Sequence, residues 1–346
     1  MSEPVGVGMI GLGMAGSGHL VAFAKSRRVR VVGAADPDPA ACARAAKAVP
    51  GLTCTGDYRE LLRRRDVDLV VVATPHKLHR VPVLDALRAG KHVFCEKPLA
   101  VNAAECDEMI AAARAAGRWL LVYQTQRFGP QFYALKQISE RGGLGRRLFG
   151  AIHYLGNELE RIHDVTSWKC SLDLAGGGVL LDGGVHVVDL ANWYFGRPVS
   201  VMAQVRTPSP WPQNKGEPTG QLLITYEDGT VAQVLATFEA QLKNQGGLKI
   251  AAFLFFEKGN AYAEYAHLGG LESRRLLTRV DPTGKESVSE PGADEGVNYI
   301  DHVLDCLAGK TQPLVTAEEA RMAVAVVEAA YESARTGRQV EVPPLK

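Results

Sequence analysis

Residues 5–18 read Val-Gly-Val-Gly-Met-Ile-Gly-Leu-Gly-Met-Ala-Gly-Ser-Gly (VGVGMIGLGMAGSG). An apolar run closes on Gly11, Gly13 and Gly16, spaced G-x-G-x-x-G, and helical periodicity begins at once. If a strand turns into a helix here around a pyrophosphate, each glycine has its own task. Gly11 permits the tight turn, Gly13 lets phosphates approach the backbone, and Gly16 lets helix and strand pack closely. The residues between them, Leu12, Met14 and Ala15, would lie along the same cofactor loop. Glycine turns after strands are common, so the motif alone decides little. Its context decides more: Asp36 ends the next apolar run, where an acid accepts from both ribose hydroxyls of a dinucleotide. Pro37-Asp38-Pro39 follows, with no Arg or Lys to clamp a 2′-phosphate, so the pattern favours NAD over NADP.

Outward from this stretch, two periods alternate. Apolar runs at Val5–Ile10, Val29–Ala35, Asp68–Thr74, His92–Cys95 and Trp119–Tyr123 lack polar alternation, as strands buried on both faces do. Ala/Arg/Leu-rich stretches of helical period lie between them: Gly16–Lys25, Pro39–Ala48, Tyr58–Arg64, Leu78–Ala89 and Ala103–Ala116. Repeated βα units of this kind predict a doubly wound parallel sheet over residues 1–126. From about Leu148 longer strands are expected at Leu148–Leu155, Val199–Val205, Gln221–Tyr226, Thr230–Glu239, Ile250–Phe256 and Ala261–Tyr265. Glu227-Asp228-Gly229 reads as a hairpin turn. The expected second domain, residues 127–346, is therefore α/β with a large, mainly antiparallel open sheet. Helices at Asn298–Leu307 and Ala317–Thr336 close the chain and have the option of packing back on the first domain. Pro208–Pro218 is the most irregular segment.

Two further strand ends face the crevice that such a sheet offers at its carboxyl edge. One run stops at Thr74-Pro75-His76 with His79 beyond, and another at Glu96-Lys97-Pro98. Proline fits there, because a finished strand needs no further ladder donor. Far along the chain stands Ala175-Gly-Gly-Gly-Val-Leu-Leu-Asp182-Gly-Gly-Val-His186-Val-Val-Asp189. At helical spacing Asp182, His186 and Asp189 share one face. An Asp one turn from a His holds its tautomer and stabilises the imidazolium after proton uptake. A polar helix face or a satisfied structural histidine would give the same pattern. No further ligand cluster accompanies these residues, so no metal site is expected.

Taken together, GLGMAG with Asp36, Ala73-Thr74-Pro75 with His79, Glu96-Lys97-Pro98, and the run from Trp168 to Asp189 resemble the Gfo/Idh/MocA oxidoreductases. The resemblance extends over nearly the whole chain, to AYESARTGRQVEV near its end. It implies a Rossmann domain followed by an α/β domain whose open sheet supports homodimers or homotetramers. It also implies hydride transfer between NAD and a sugar, cyclitol or related polyol. Carried over residue by residue, Lys97 and His186 perform the proton chemistry and Asp182 assists. Gly11 to Gly16, Asp36, Thr74, Pro75, His79, Glu96 and Lys97 border the cofactor. Arg127, Trp168 and Lys169 join Lys97, Asp182 and His186 around the substrate. The Lys-Pro bond is often cis in such relatives. Two places depart from the family: Thr125-Gln126-Arg127-Phe128 stands where Asn-Arg-Arg-Phe is usual, and Trp168-Lys169 where Trp-Arg is usual. Both adjoin the expected substrate pocket, so the scaffold carries over and the substrate does not.

Composition sets outer bounds. The chain has 346 residues, with 39 basic against 38 acidic, and so offers no electrostatic footprint for nucleic acid. No apolar run approaches a membrane span and no basic leader precedes one, which leads to the expectation of a cytoplasmic protein without membrane contact. The six scattered cysteines lack a CxxC pair and disfavour a zinc site or disulfide framework. The expected mechanism has His186 accept a hydroxyl proton while Lys97 holds the oxygen. Which of the two is the principal base stays open. So does an enzyme of this fold that oxidises its sugar transiently, to cleave or epimerise it without net redox change. A non-catalytic NAD-binding regulator fits less well, because it would not need Lys97, Asp182 and His186 together.

Overall fold

The computed structural model describes residues 3–141, 143–158, 164, 166–206, 216–242, 246–267 and 273–345. Most of the irregular segment at 208–218 lies outside the described residues. The chain forms two compact units: Met1–Ala100 with Ala104–Tyr123 and Asn298–Ala320, and Val101–Ala103 with Gln124–Val297 and Arg321–Lys346.

The first unit holds six parallel strands: β1 (Val5–Ile10), β2 (Val29–Ala35), β3 (Cys54–Thr55), β4 (Leu69–Val72), β5 (His92–Glu96) and β6 (Leu120–Tyr123). Their order is β3-β2-β1-β4-β5-β6, so the winding reverses between β1 and β4. This is where a doubly wound sheet opens its ligand crevice. Val7 pairs with Val31 on one side and Leu69 on the other. β1 is buried from Gly6 to Ile10 and β4 along its whole length, which explains the absence of alternation in these runs. Helix α1 (Met14–Ala24) leaves β1 through Gly11, whose φ of +89 puts it in the left-handed region. A β-carbon on Gly11 would stand 2.5 Å from the Ala73 carbonyl oxygen, and one on Gly16 would stand 2.0 Å from the Gly11 oxygen. Neither space exists, so the glycines are required by packing as well as by any ligand. The helix Tyr299–Leu307 belongs to this unit and brings Tyr299 against Phe23, Phe94 and Tyr123.

One expectation about cysteine fails here. Cys42 and Cys54 are joined by a disulfide. The sequence shows only two cysteines twelve residues apart; they meet because the helix Pro39–Ala48 returns the chain alongside the short edge strand β3. Cys95, Cys106, Cys170 and Cys306 form no disulfide, and all four are buried.

The second unit is built on nine strands: β7 (Arg147–Gly156), β8 (Pro198–Val205), β9 (Thr219–Tyr226), β10 (Val231–Thr237), β11 (Leu248–Phe256), β12 (Gly259–His267), β13 (Ser273–Val280), β14 (Glu286–Ser289) and β15 (Val340–Glu341). The order is β14-β13-β12-β11-β7-β10-β9-β8-β15. β7 runs parallel to β10 while every other pairing is antiparallel. The sheet is therefore mixed. One face is sealed by Val188, Leu190 and Ala191 from the helix Val185–Phe195 and by Ala323, Val326 and Val327 from Ala317–Thr336. On the other face Phe149 and Leu223 are exposed, and Phe149 stacks on Phe255 with centroids 4.3 Å apart. β13 and β14, and the helix Pro130–Glu140, were not foreseen. β13 is rich in arginine and half-buried at most, so it carries little of the alternation that marks a strand. The expectation about apolar length also needs correction. The helical stretch Leu172–Phe195 is long and apolar enough to cross a membrane, but 83% of its apolar window is buried within the chain.

The three glycines before that stretch pack against Glu217. A β-carbon on Gly178 would lie 2.3 Å from the Glu217 backbone, and one on Gly177 would lie 2.4 Å from the Tyr331 hydroxyl. The Glu217 carboxylate accepts from the Gly178 and Leu180 amides at 3.0 and 2.8 Å and from the Tyr331 hydroxyl at 2.9 Å. Its carbonyl accepts from Val179 at 2.8 Å. A carboxylate from elsewhere in the chain thus caps the amides that begin the helix, in accord with the helix dipole. Burial pushes the Glu217 carboxyl above its ordinary value even with these donors in place. Glu217→Ala strands buried donors and should destabilise the unit by about 2–4 kcal/mol, read as a lower denaturation midpoint. An unchanged midpoint would show that the cap is dispensable.

Candidate active site

In the first unit the glycine loop, Asp36 and the end of β4 form one edge. Nothing lies within 4 Å of where a β-carbon of Gly13 would stand, so the loop is open where a phosphate would approach. α1 begins there with no side-chain cap and no acidic residue in its first turn, leaving its amides for an anion. Leu12 donates its amide to Asp36 Oδ2 at 2.7 Å and Asp38 donates to Oδ1 at 2.8 Å. Each oxygen keeps capacity for a further donor such as a ribose hydroxyl. The Thr74 hydroxyl is buried without a hydrogen-bond partner in the protein, at the carboxyl end of β4. Buried polar groups are normally satisfied. An open cradle, a fixed acceptor and an orphaned hydroxyl suit a dinucleotide. Met14 is 73% exposed on this loop, while Leu12 turns its side chain into the core.

Two of the expected cofactor contacts, His79 and Glu96, have their side chains taken up by the protein itself. His79 is fully buried, with Nδ1 2.8 Å from the Pro98 carbonyl and Nε2 2.8 Å from that of Thr74. Its ring ties β4 to the Lys97-Pro98 turn and so does not face a ligand. Glu96 is held by His19, whose Nε2–H donates to Oε1 at 2.7 Å. The other carboxylate oxygen accepts the Lys97 amide at 3.1 Å. Burial opposes the charge on Glu96, but His19 and Lys97 outweigh it and hold the carboxyl below its usual value. The Lys97–Pro98 peptide is cis. Pro75 leads the short turn His76–Leu78.

The second unit carries the other set. Lys169 pairs with Asp182, and its ammonium lies 3.6 Å from Glu158 Oε2. Glu158 Oε1 accepts the Tyr154 hydroxyl at 3.1 Å. The Tyr154 ring stacks on His186, centroids 6.2 Å apart and planes 9° apart. Trp168 places its ring 5.9 Å from the Lys169 ammonium. A π-helical turn, Leu180–Gly184, carries Asp182 and precedes the helix that carries His186. Such turns often mark functional sites. A β-carbon on Gly183 would stand 2.6 Å from the Tyr154 ring, so this glycine admits the stacking. Trp168, Lys169, Asp182 and His186 all lie in this unit, Lys169 meeting Trp168 and Asp182, and His186 meeting Tyr154.

Arg127 and Asp189 are not part of that set. Both side chains are 1% exposed and form a two-pronged pair, Nε to Oδ2 and Nη2 to Oδ1, each at 2.8 Å. The guanidinium also lies over Trp193, 5.3 Å from the ring centre. Arg127 therefore does not line a substrate pocket. A fork donor and a carboxylate that satisfy each other in the interior are a structural element. Tyr154, Glu158 and Gln124 escaped the sequence reading. Gln124 directly follows β6, is buried, and has neither amide atom bonded within the protein. A polar residue at the end of a parallel strand is the one signal that could have found it. Among the described residues no group of three or more His, Cys, Asp or Glu could hold a metal ion.

Burial lowers the titration of His79, His92 and His302 below the ordinary imidazole value, although carbonyl bonds at His79 act in the opposite sense. In the unfolded chain these rings protonate near 6.5. Between that pH and their folded values the unfolded state binds more protons, so stability falls as pH drops. The melting temperature should therefore be lower at about pH 5.5 than at about pH 7.5, and His79→Gln should reduce that difference. Equal melting temperatures at both pH values would remove these histidines from the account.

Three models of one family match in succession. "Oxidoreductase family, NAD-binding Rossmann fold" covers residues 5–124, "GFO/IDH/MocA C-terminal domain" covers 132–261, and "Oxidoreductase family, C-terminal alpha/beta domain" covers 272–342. The chain is 32% identical over 230 residues to 1-carboxy-3-chloro-3,4-dihydroxycyclo hexa-1,5-diene dehydrogenase of Comamonas testosteroni, covering 66% of this chain and 56% of that protein. Against this and the next curated relative the match spans only 56% and 54% of their own length. Two solved structures agree over nearly the whole chain, both at 26% identity. GenD2 from gentamicin A biosynthesis, in complex with NAD, gives a TM-score of 0.83 over 99% of this chain and 97% of that one. The aldose-aldose oxidoreductase of Caulobacter crescentus, complexed with glycerol, gives 0.84 over 98% and 100%.

Proposed function

We propose, from the premise that this chain belongs to the Gfo/Idh/MocA family of oxidoreductases, that it is an NAD-dependent dehydrogenase of a secondary alcohol on a sugar, cyclitol or related polyol. The observation that carries this reading is the glycine loop left open at Gly13 beside an Asp36 carboxylate fixed by two amides. That carboxylate suits a ribose diol and repels a 2′-phosphate, which supports NAD over NADP. When bound, the nicotinamide supplies the hydride chemistry. The chain supplies proton handling and orientation. His186 accepts the hydroxyl proton on its ring, steadied by the Tyr154 face. Asp182, kept anionic by Lys169, stabilises the resulting imidazolium. The Lys97 ammonium holds the substrate oxygen and offsets charge that develops on it.

Similarity to a cyclic-diol dehydrogenase and to an aldose oxidoreductase supports a ring-borne hydroxyl as the reacting group. A panel of sugars, sugar phosphates, inositols and nucleotide sugars, followed by absorbance of the reduced nicotinamide, tests the class. Lys97→Ala and His186→Ala should each lower turnover by about 100-fold or more. Wild-type turnover in both variants would sink the assignment. Cleavage or epimerisation of the substrate without net cofactor reduction would favour transient oxidation instead.

Self-association belongs to the same proposal. The uncovered face of the second sheet bears the Phe149–Phe255 stack and an exposed Leu223, an apolar patch that a second copy of the chain would cover. Phe149→Glu should reduce the mass measured by light scattering to that of a smaller assembly. A wild-type protein that runs as a monomer would overturn this part alone.

A further inference from the structure

The Cys42–Cys54 bond stands next to the Asp36 main chain and has no role in the function proposed above. β3 is two residues long and lies at the edge of its sheet, where Ala34 pairs with Cys54 and Ala35 with Thr55. The Asp36 amide donates to the Thr55 carbonyl at 3.0 Å, and the Ala34 amide donates to that of Thr53 at 2.9 Å. The backbone of Asp36 thus hangs on this short strand. From the other side the helix Pro39–Ala48 presents its cap. The Asp38 side chain accepts the Ala40 and Ala41 amides, and the Asp38 amide is one of the two donors to the Asp36 carboxylate. The disulfide joins these two supports, running from the first turn of the helix to the first residue of the strand. Cys42 Sγ lies 3.7 Å from the Asp36 carbonyl oxygen and 3.9 Å from that of Thr55. So short an edge strand has little pairing of its own to hold it, and the covalent tie fixes what the ladder does not. Both cysteines are half-buried, and Gly51, Thr53 and Gly56 around Cys54 are exposed. The other four cysteines are buried, and burial pushes the Cys95, Cys170 and Cys306 thiols up. A thiol reagent acting on the folded chain therefore meets this pair first.

We propose that the Cys42–Cys54 pair is a redox switch on the cofactor site, an inference that rests on the reading of the glycine loop and Asp36 as an NAD site. Closed, the bond holds Asp36 in position for a ribose diol; opened to two thiols, it releases the helix from β3 and weakens NAD binding. Opening takes two electrons and two protons from a dithiol. One thiolate of the reductant attacks a sulfur of the pair, so that a mixed disulfide forms and the other cysteine leaves as a thiolate, which takes up a proton. The second thiol of the reductant then displaces the first cysteine, and the reductant departs as its own disulfide. Closing is the reverse, with the disulfide of a thiol compound as the electron acceptor. In the open form helix and strand are held only by packing and by the two backbone bonds, and the chain between them regains conformations that the bond denied it. Ordering Asp36 then falls partly on the binding step, and affinity drops. A bond that only stabilised the fold would lower the melting temperature when reduced and leave the affinity alone. Coupling to the site comes through Asp38, whose amide is both part of the helix start and a donor to the Asp36 carboxylate.

The test is the NAD dissociation constant of the full chain, measured by calorimetry in matched buffers after treatment with oxidised glutathione or with dithiothreitol. Both forms are measured well below the melting temperature of the reduced one. Maleimide labelling of the denatured chain counts the thiols: four should react in the closed form and six in the open form. Reduction should raise the NAD dissociation constant about 5-fold or more, and reoxidation should restore it. The double variant Cys42→Ser, Cys54→Ser should bind NAD like the reduced form under both treatments. Asp36→Asn should bind NAD more weakly and lose most of the redox dependence. Amide exchange at Asp38 should quicken on reduction, because the helix start is no longer tied. Equal dissociation constants in the two forms, a full redox response in Asp36→Asn, or six reactive thiols after oxidation would overturn the switch alone. Absence of NAD binding in both forms would defeat the cofactor site itself and the switch with it.

Discussion

Each unit depends on a place where no β-carbon fits. At the start of α1 the constraint falls on Gly11 and Gly16, which bring β1, the helix and the end of β4 into backbone contact. At the start of the second unit's long helical stretch it falls on Gly177 and Gly178, against Tyr331 and the Glu217 backbone, and on Gly183 against Tyr154. A methyl group at these sites would have to displace main chain or a packed ring, which costs more than a surface adjustment. The same geometry that closes the packing also opens the chemistry. Amides left without helical partners are aimed at the loop in the first unit, and are capped by Glu217 in the second. One helix start is left open for an anion; the other is filled by a carboxylate of the chain itself.

Buried charge follows the same division. Arg127 and Asp189 satisfy each other at two points, both side chains closed off, and nothing remains to offer a ligand. Such a pair is retained because separating its partners is costly, whatever its net contribution. Lys169 is different: one ammonium serves two carboxylates, with residual access to solvent. The Arg127–Asp189 pair is closed to solvent on both sides, while the Lys169 cluster keeps an edge to it.

Much of this was legible in the sequence where function is local. GLGMAG followed by Asp36 marks the strand, the turn and the helix that the first unit forms, and Glu96-Lys97-Pro98 marks a strand end. What was not legible depends on contacts across long separations. Arg127 looks like a substrate arginine until Asp189, far along the chain, reaches it. His79 looks like a ligand contact until two carbonyls occupy its ring. Glu158 and Tyr154 stand in an ordinary alternating strand end, and only the fold turns them toward Lys169 and His186. The even helical spacing of Asp182, His186 and Asp189 also misled, because the π turn changes the phase between Asp182 and the helix that follows. Asp189 lies on the same helix as His186 but is taken up by Arg127. The Cys42–Cys54 bond was hidden for the same reason, since spacing says nothing of an edge strand two residues long.

The lysine at the end of β5 shows how such distant contacts become function. Glu96, before it, is fixed by His19 from α1, and His19 Nδ1 lies 3.1 Å from the Tyr299 hydroxyl. Pro98, after it, is fixed by His79 from the segment beyond β4. The backbone of Lys97 is thus held on both sides by buried imidazoles that never need to touch a ligand. A flexible four-carbon side chain is a poor positioning device on its own, since it has many rotamers to lose. Fixing the main chain on either side removes part of that freedom before any substrate arrives, which is the condition for placing charge accurately in a transition state. On this argument the two histidines act on Lys97 through the backbone geometry they fix. The strand end owes its fixed backbone to helix and loop residues that the strand itself does not reveal.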